Sequence, residues 1–150
     1  MTGVLIIVCG LPGSGKTTTA RQLAAQRGGL RLGPDDWMTM LGVNLWDSGM
    51  RDRVEALQWS VAREILALGG TVILEWGTWS RSERDTLRVQ ARGLGAAVHL
   101  LHLDASDDEL WRRIQARDAE DPPIRRADLD EWRRLFQPPD EQELSLYDPA

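Results

Sequence analysis

Cysteine is almost absent: Cys9 is the only one among 150 residues. No disulfide framework and no cysteine cluster with zinc-ligand spacing can therefore be drawn, and a reducing cytoplasm is the expected compartment. Lysine is as scarce, since of 18 basic residues only Lys16 is lysine. Long apolar runs are also missing. The longest, Val4 to Cys9, is too short to cross a bilayer, and the chain does not open on a basic flank and a signal-type apolar core, so no membrane partner is expected. The formal net charge of -5 argues against a general grip on phosphate backbones, which comes from Lys and Arg displacing counterions. It leaves room only for a local basic groove.

What is present alternates strand and helix within a length expected to make one domain, residues 1–150. VLIIVC reads as a buried strand. A helix follows from about Gly15 to Arg27, with Ala20, Leu23 and Ala24 inward and Gly28-Gly29 as its stop. LRL at 30–32 is a short second strand. Val54, Leu57, Val61, Ile65 and Leu68 make a helical stripe that ends at Gly69-Gly70. TVILEW is the third strand, and Ser80 with Glu83 has capping-box spacing for a helix to about Arg92. AVHLLHL is the fourth strand, and Ser106 with Glu109 opens a helix to about Arg117. A last helix is expected over Asp128 to Phe136, then a short edge strand at Leu144 to Tyr147. Near-continuous apolar strands separated by helices predict an α/β fold, a parallel sheet covered on both faces.

The sharpest signal is GLPGSGKTT. Gly10, Gly13, Gly15, Lys16 and Thr17 fit G-x-x-x-x-G-K-[ST] between a strand and a helix, the context this Walker A phosphate loop requires. Glycines let successive backbone N–H groups converge on one anion, and the helix N-terminus adds its positive end. The loop from Gly10 through Pro12, Ser14 and Thr18 is thus a candidate ATP cradle. Lys16 is expected on the β- and γ-phosphates and the Thr17 hydroxyl on Mg²⁺.

Ligands of such sheets sit at the carboxyl ends of the strands. Strand two ends in Asp35-Asp36 and strand three reaches Glu75. A hydroxyl attacking phosphorus needs a carboxylate to take its proton. Asp35 is assigned that role, with Asp36 its competitor and otherwise the cap of a helix at WMTML. Glu75 is expected to hold the metal, with an Arg pair as its plain alternative. Of seven tryptophans, Trp59, Trp111 and Trp132 read as helix packing. Trp37, Trp46, Trp76 and Trp79 cluster near the sheet edge, and as a set suggest a small aromatic or sugar-like acceptor. His99 and His102 face opposite sides of a strand and read as structural.

GLPGSGKTT, GPDDW, ILEWGTWSRSERD, LWRRIQARD and FQPPDEQE together resemble, in order and over nearly the whole chain, the small predicted P-loop kinases of the AAA-type ATP-binding group. These are relatives of chloramphenicol phosphotransferase, zeta toxins, gluconate kinase and the 5′-hydroxyl polynucleotide kinases. The resemblance implies a three-layer P-loop NTPase fold with strand order 2-3-1-4-5 and Mg²⁺-dependent transfer of phosphate from ATP to a hydroxyl. It implies Asp35 as base, and a lid at about 113–127 with Arg113 and Arg117 on the phosphates. It also implies Arg84 near the substrate and Pro138, with Gln137 and Pro139, against adenine. Where many relatives carry Asp, this chain has Glu75, and its lid is short. A small-molecule acceptor is expected. The alternatives are a polynucleotide 5′-hydroxyl acceptor, or an ATPase or switch with no organic acceptor.

Overall fold

The computed structural model of the chain describes residues 2–149. Val4–Cys9 forms β1, Lys16–Arg27 α1, Leu30–Leu32 β2, Pro34–Met40 α2, Ser48–Ala67 α3 and Thr71–Gly77 β3. Arg81–Gly93 forms α4, Ala97–His102 β4, Asp107–Arg117 α5, Arg126–Leu135 α6 and Glu141–Leu144 α7. β1 lies parallel between β3 and β4, and β2 pairs with β3, which gives the order β2-β3-β1-β4.

Alternation along β1 explains the layers, because successive strand side chains point to opposite faces. Leu5 and Ile7 join Ala62 and Leu66 of α3 and Leu87 and Ala91 of α4 in one core. Ile6 and Val8 turn the other way and meet Ala20 of α1. A third cluster joins Cys9 and Leu11 to Leu110, Ile114 and Leu129 of α5 and α6. The β1–β3 register shifts between Ile7 and Cys9, so Cys9 pairs with Gly77. That irregularity sets the end of β3 beside the start of the phosphate loop, where the Gly10 N–H donates to the Gly77 carbonyl at 3.2 Å.

Three expectations need correction. The sheet has four strands among the described residues, and the segment expected as a fifth, Leu144 to Tyr147, is the end of α7 and a turn. The reason is local: Asp140 caps this helix by accepting from the Glu143 N–H at 2.7 Å. The buried face of α3 is Val54, Gln58, Ala62 and Leu66, whereas Leu57 and Leu68 of the expected stripe are exposed. Gln58 is buried because both ends of its amide are used, donating to the Gly33 carbonyl and accepting from Trp76 Nε1, each at 2.9 Å. Asp36 does not cap α2. Gly33 is the cap, with Pro34 in the first turn, where its missing N–H costs nothing.

Arg84 sits inside the protein rather than at a substrate. Its guanidinium is fully buried, bonded to both Glu143 oxygens at 2.7 and 2.9 Å and to the carbonyls of Thr78 and Gln137, each at 2.7 Å. It ties the end of β3 to the chain after α6 and to α7. Removing one partner strands a buried charge, so Glu143→Ala is expected to cost about 3–5 kcal/mol and lower Tm by roughly 10 °C. A thermal scan showing a loss of only a degree or two would contradict this role.

Candidate active site

The phosphate loop leaves β1 and enters α1 through two left-handed glycines, Gly13 at φ 84° and Gly15 at φ 96°. A side chain at Gly13 would also stand 2.8 Å from the Leu110 carbonyl oxygen, so both backbone conformation and space require glycine. Ser14 is buried with its hydroxyl unpartnered among the described residues. Lys16 turns its ammonium back over the loop, donating to the carbonyls of Gly10 at 2.9 Å and Leu11 at 3.0 Å. A curled loop with an orphaned hydroxyl and a cation folded over it fits a polyphosphate.

Burial pulls Lys16 down to about 8, opposed in part by the Glu75 and Asp35 carboxylates. The charged form is therefore full below that pH and is lost above it. The Kd of a non-hydrolysable ATP analogue is expected to rise by up to about tenfold per pH unit above 8. Titration calorimetry from pH 6.5 to 9.5 checks this, and a flat profile would contradict titration of Lys16 in that window.

Strand ends bring the carboxylates to the loop. The Thr17 hydroxyl donates to Glu75 Oε2 at 2.7 Å. The other Glu75 oxygen takes the guanidinium of Arg31 from β2, which also reaches Asp36. Glu75 thus has the Arg partner that sequence left open, alongside a Thr17 contact on its second oxygen. No group of three or more His, Cys, Asp or Glu suited to a metal occurs among the described residues. One hydroxyl and one carboxylate nevertheless suit Mg²⁺, which keeps waters and phosphate oxygens for its remaining positions. Asp35 stands half-exposed in the first turn of α2, and Arg51 of α3 donates to its Oδ1 at 2.7 Å and to the Leu45 carbonyl at 2.9 Å. Sequence gave no sign of Arg51, because its partner lies 16 residues away.

A cavity of about 820 Å³ opens over the loop. Pro12, Lys16, Thr17, Thr18, Asp35 and Glu75 line it together with Trp46, Trp76, Trp79, Arg113 and Arg117. Arg113 bonds the Gly13 carbonyl at 3.1 Å and Glu109 at 2.9 Å, and Arg117 pairs with Glu120 at 2.8 Å. Trp132, read from sequence as helix packing, also lines the cavity, with its ring 5.9 Å from each of Trp46 and Trp79. Trp37 lies outside it and packs against the core beneath α3 and α4. Arg84 and the exposed Pro138 are not on its walls either. His99 Nδ1 donates to the Asp148 carbonyl at 3.0 Å, and His102 stacks on Phe136.

A family profile described as an AAA domain, AAA_33, matches residues 5–139. A gluconokinase from Sinorhizobium meliloti 1021 is 25% identical, with TM-score 0.63 over 94% of this chain and 79% of that one. Kti12 from Chaetomium thermophilum, in complex with ADP-AlF3, is 21% identical, with TM-score 0.74 over 97% and 86%. A chain of the Pnkp1/Rnl/Hen1 RNA repair complex is 22% identical, with TM-score 0.73 over 98% of this chain and 46% of that one. The last two speak for the fold alone. A search of curated proteins found no match. A profile spanning most of the sequence agrees with the phosphate loop, the parallel sheet and the carboxylates at its edge: the chain belongs to the AAA_33 family of P-loop, nucleotide-binding kinase-like proteins.

Proposed function

We propose that the protein is a small-molecule kinase, moving the γ-phosphate of ATP to a hydroxyl. The observation that carries this reading is that the loop, Asp35 and an indole-lined wall open into one cavity, which gives donor, base and acceptor a common space. Similarity to a gluconokinase supports it. Lys16 and the loop N–H groups hold the β- and γ-phosphates. Thr17 and Glu75 would hold Mg²⁺, which supplies charge neutralisation on the phosphate oxygens. Asp35 accepts the acceptor's hydroxyl proton, the hydroxyl oxygen forms a bond to the γ-phosphorus, and the bond to the bridging oxygen breaks to release ADP. Arg117 stabilises the transferred charge, Arg113 supports the loop, and the segment 113–127 acts as the lid. Trp46 and Trp79 belong to the acceptor wall. No helix among the described residues is long and apolar enough to cross a membrane, and the cytoplasm is the compartment that goes with this reading.

Similarity to a chain of an RNA repair complex keeps a polynucleotide acceptor as the rival. Purified protein given γ-labelled ATP, Mg²⁺ and a small-metabolite extract, with a separate 5′-hydroxyl oligonucleotide reaction, separates the two. Label in a small organic product is the expected result. Label on the oligonucleotide alone, or in inorganic phosphate alone, would overturn the proposal.

A further inference from the structure

The cavity's cations are already engaged, whereas three of its acids are not. Arg31 is held by Glu75 and Asp36, Arg51 by Asp35 and Arg117 by Glu120. Asp52 and Glu55 of α3 and Glu83 of α4 also line the cavity, and among the described residues their carboxylates form no ion pair or side-chain hydrogen bond. Glu83 is informative because its spacing from Ser80 is that of a capping box. Ser80 does accept from the Glu83 N–H at 3.0 Å, but the reciprocal bond from the Ser80 N–H to the Glu83 carboxylate is not made, and that side chain fronts the cavity instead.

Glu55 and Glu83 are only half exposed, and the charge of Glu83 raises the energy of charging Glu55. Burial first, then the charge of Glu83, push the Glu55 carboxyl up to about 7, with Asp52 and Asp35 adding to the rise and Arg51 alone lowering it. Burial likewise raises Glu83, with Arg84 opposing and Asp52 assisting. Desolvated like charges without a counter-ion are costly, and a bound cation would relieve that cost. Thr78 supplies a second, independent mark of a ligand site. It lines the cavity, is 2% exposed, and holds a left-handed backbone at φ 46°. Its hydroxyl stands against the Cys9 sulfur and has no oxygen or nitrogen partner among the described residues. A strained non-glycine residue whose hydroxyl lacks an oxygen or nitrogen partner is the kind of feature found at binding sites. The indoles of Trp46, Trp76, Trp79 and Trp132 complete the wall, and indole faces attract cations.

Resting on the kinase reading above, we propose that the acceptor carries an ammonium group beside its reacting hydroxyl, as an amino alcohol or amino sugar does, with the cation between Glu55 and Glu83 against the indole wall. The ammonium nitrogen has no lone pair and is not the nucleophile. The hydroxyl oxygen bonds to phosphorus while its proton passes to Asp35 and ADP departs. A polyanionic acceptor is disfavoured by the same wall.

Two measurements test this without knowing the acceptor. The first splits a metabolite extract by ion exchange at pH 7 into cationic, neutral and anionic fractions and follows γ-label into organic phosphate. The expected acceptor is in the cationic fraction, and E55Q combined with E83Q raises its KM at least tenfold. An acceptor found only in the neutral or anionic fraction overturns the inference and leaves the kinase reading intact. The second compares quenching of tryptophan fluorescence by caesium, acrylamide and iodide. Caesium quenching should exceed iodide quenching after scaling to acrylamide, and the double variant should remove the excess. Equal or iodide-favoured quenching overturns the inference. If no fraction yields organic phosphate while caesium selectivity holds, the kinase reading fails and the cation-selective cavity stands. Neither carboxylate bonds a protein group, so both substitutions leave the fold's own contacts in place.

Discussion

Lys16→Ala is expected to lower phosphoryl transfer by roughly 10³-fold, the effect of deleting a preorganised positive group aimed at developing charge. Lys16 is the chain's only lysine, and its ammonium is held over the loop by two backbone carbonyls. No neighbouring Arg can take its place without leaving its own partner, since Arg31 and Arg117 are both in ion pairs. The loss should appear in ATP affinity, because the ground state already contains the triphosphate, and in kcat, because the contact strengthens as charge develops in the transition state. Stability should not fall, because alanine removes a partly buried ammonium that desolvation has already made less basic. Single-turnover kinetics with labelled ATP measures the loss, and retention of a tenth or more of wild-type transfer would remove Lys16 from the mechanism.

Asp35→Asn is expected to lower kcat by about 10²–10⁴-fold while leaving ATP affinity nearly unchanged. The amide keeps the shape of the carboxylate but cannot accept the hydroxyl proton as a base. The substitution also weakens the contact with Arg51, yet that pair is between side chains 50% and 30% exposed, so the cost in stability should be within about 1 kcal/mol. Asp36→Asn is the informative companion. Asp36 is bound to Arg31, and its loss should reduce transfer by less than about tenfold, an indirect effect through the Arg31–Glu75 contact. If the two variants exchange behaviour, Asp36 is the base.

The sequence made the phosphate loop and the alternation of strand and helix legible because both are local. Glycines, lysine and threonine at fixed spacing dictate the loop, and short β-branched runs dictate β1 and β3. What escaped depends on partners far along the chain. The resemblance places Arg84 near the substrate until Glu143, 59 residues on, is found beside it, and that same carboxylate anchors the α7 turn where a fifth strand was expected. Trp37 groups by sequence with the indoles near the sheet edge, but the next step round α2 from Asp36 carries it to the core. Trp132 did the reverse, since α6 folds back and sets its ring beside Trp46 and Trp79. Gln58 interrupts an apolar stripe and so could not be assigned to the buried face, although the Gly33 carbonyl and the Trp76 indole give both ends of its amide a partner. The paired roles at Glu75, one oxygen to Thr17 and one to Arg31, required two strands and a helix start to be placed together.

The most direct test of the central claim is the origin of the oxygen bonded to the transferred phosphorus. The reaction with ATP, Mg²⁺ and metabolite extract is run in water enriched in oxygen-18 and followed by phosphorus NMR. Transfer to an organic hydroxyl predicts a new phosphomonoester resonance with no solvent oxygen in it. Inorganic phosphate carrying one solvent oxygen as the sole product would contradict the account and make the protein an ATPase.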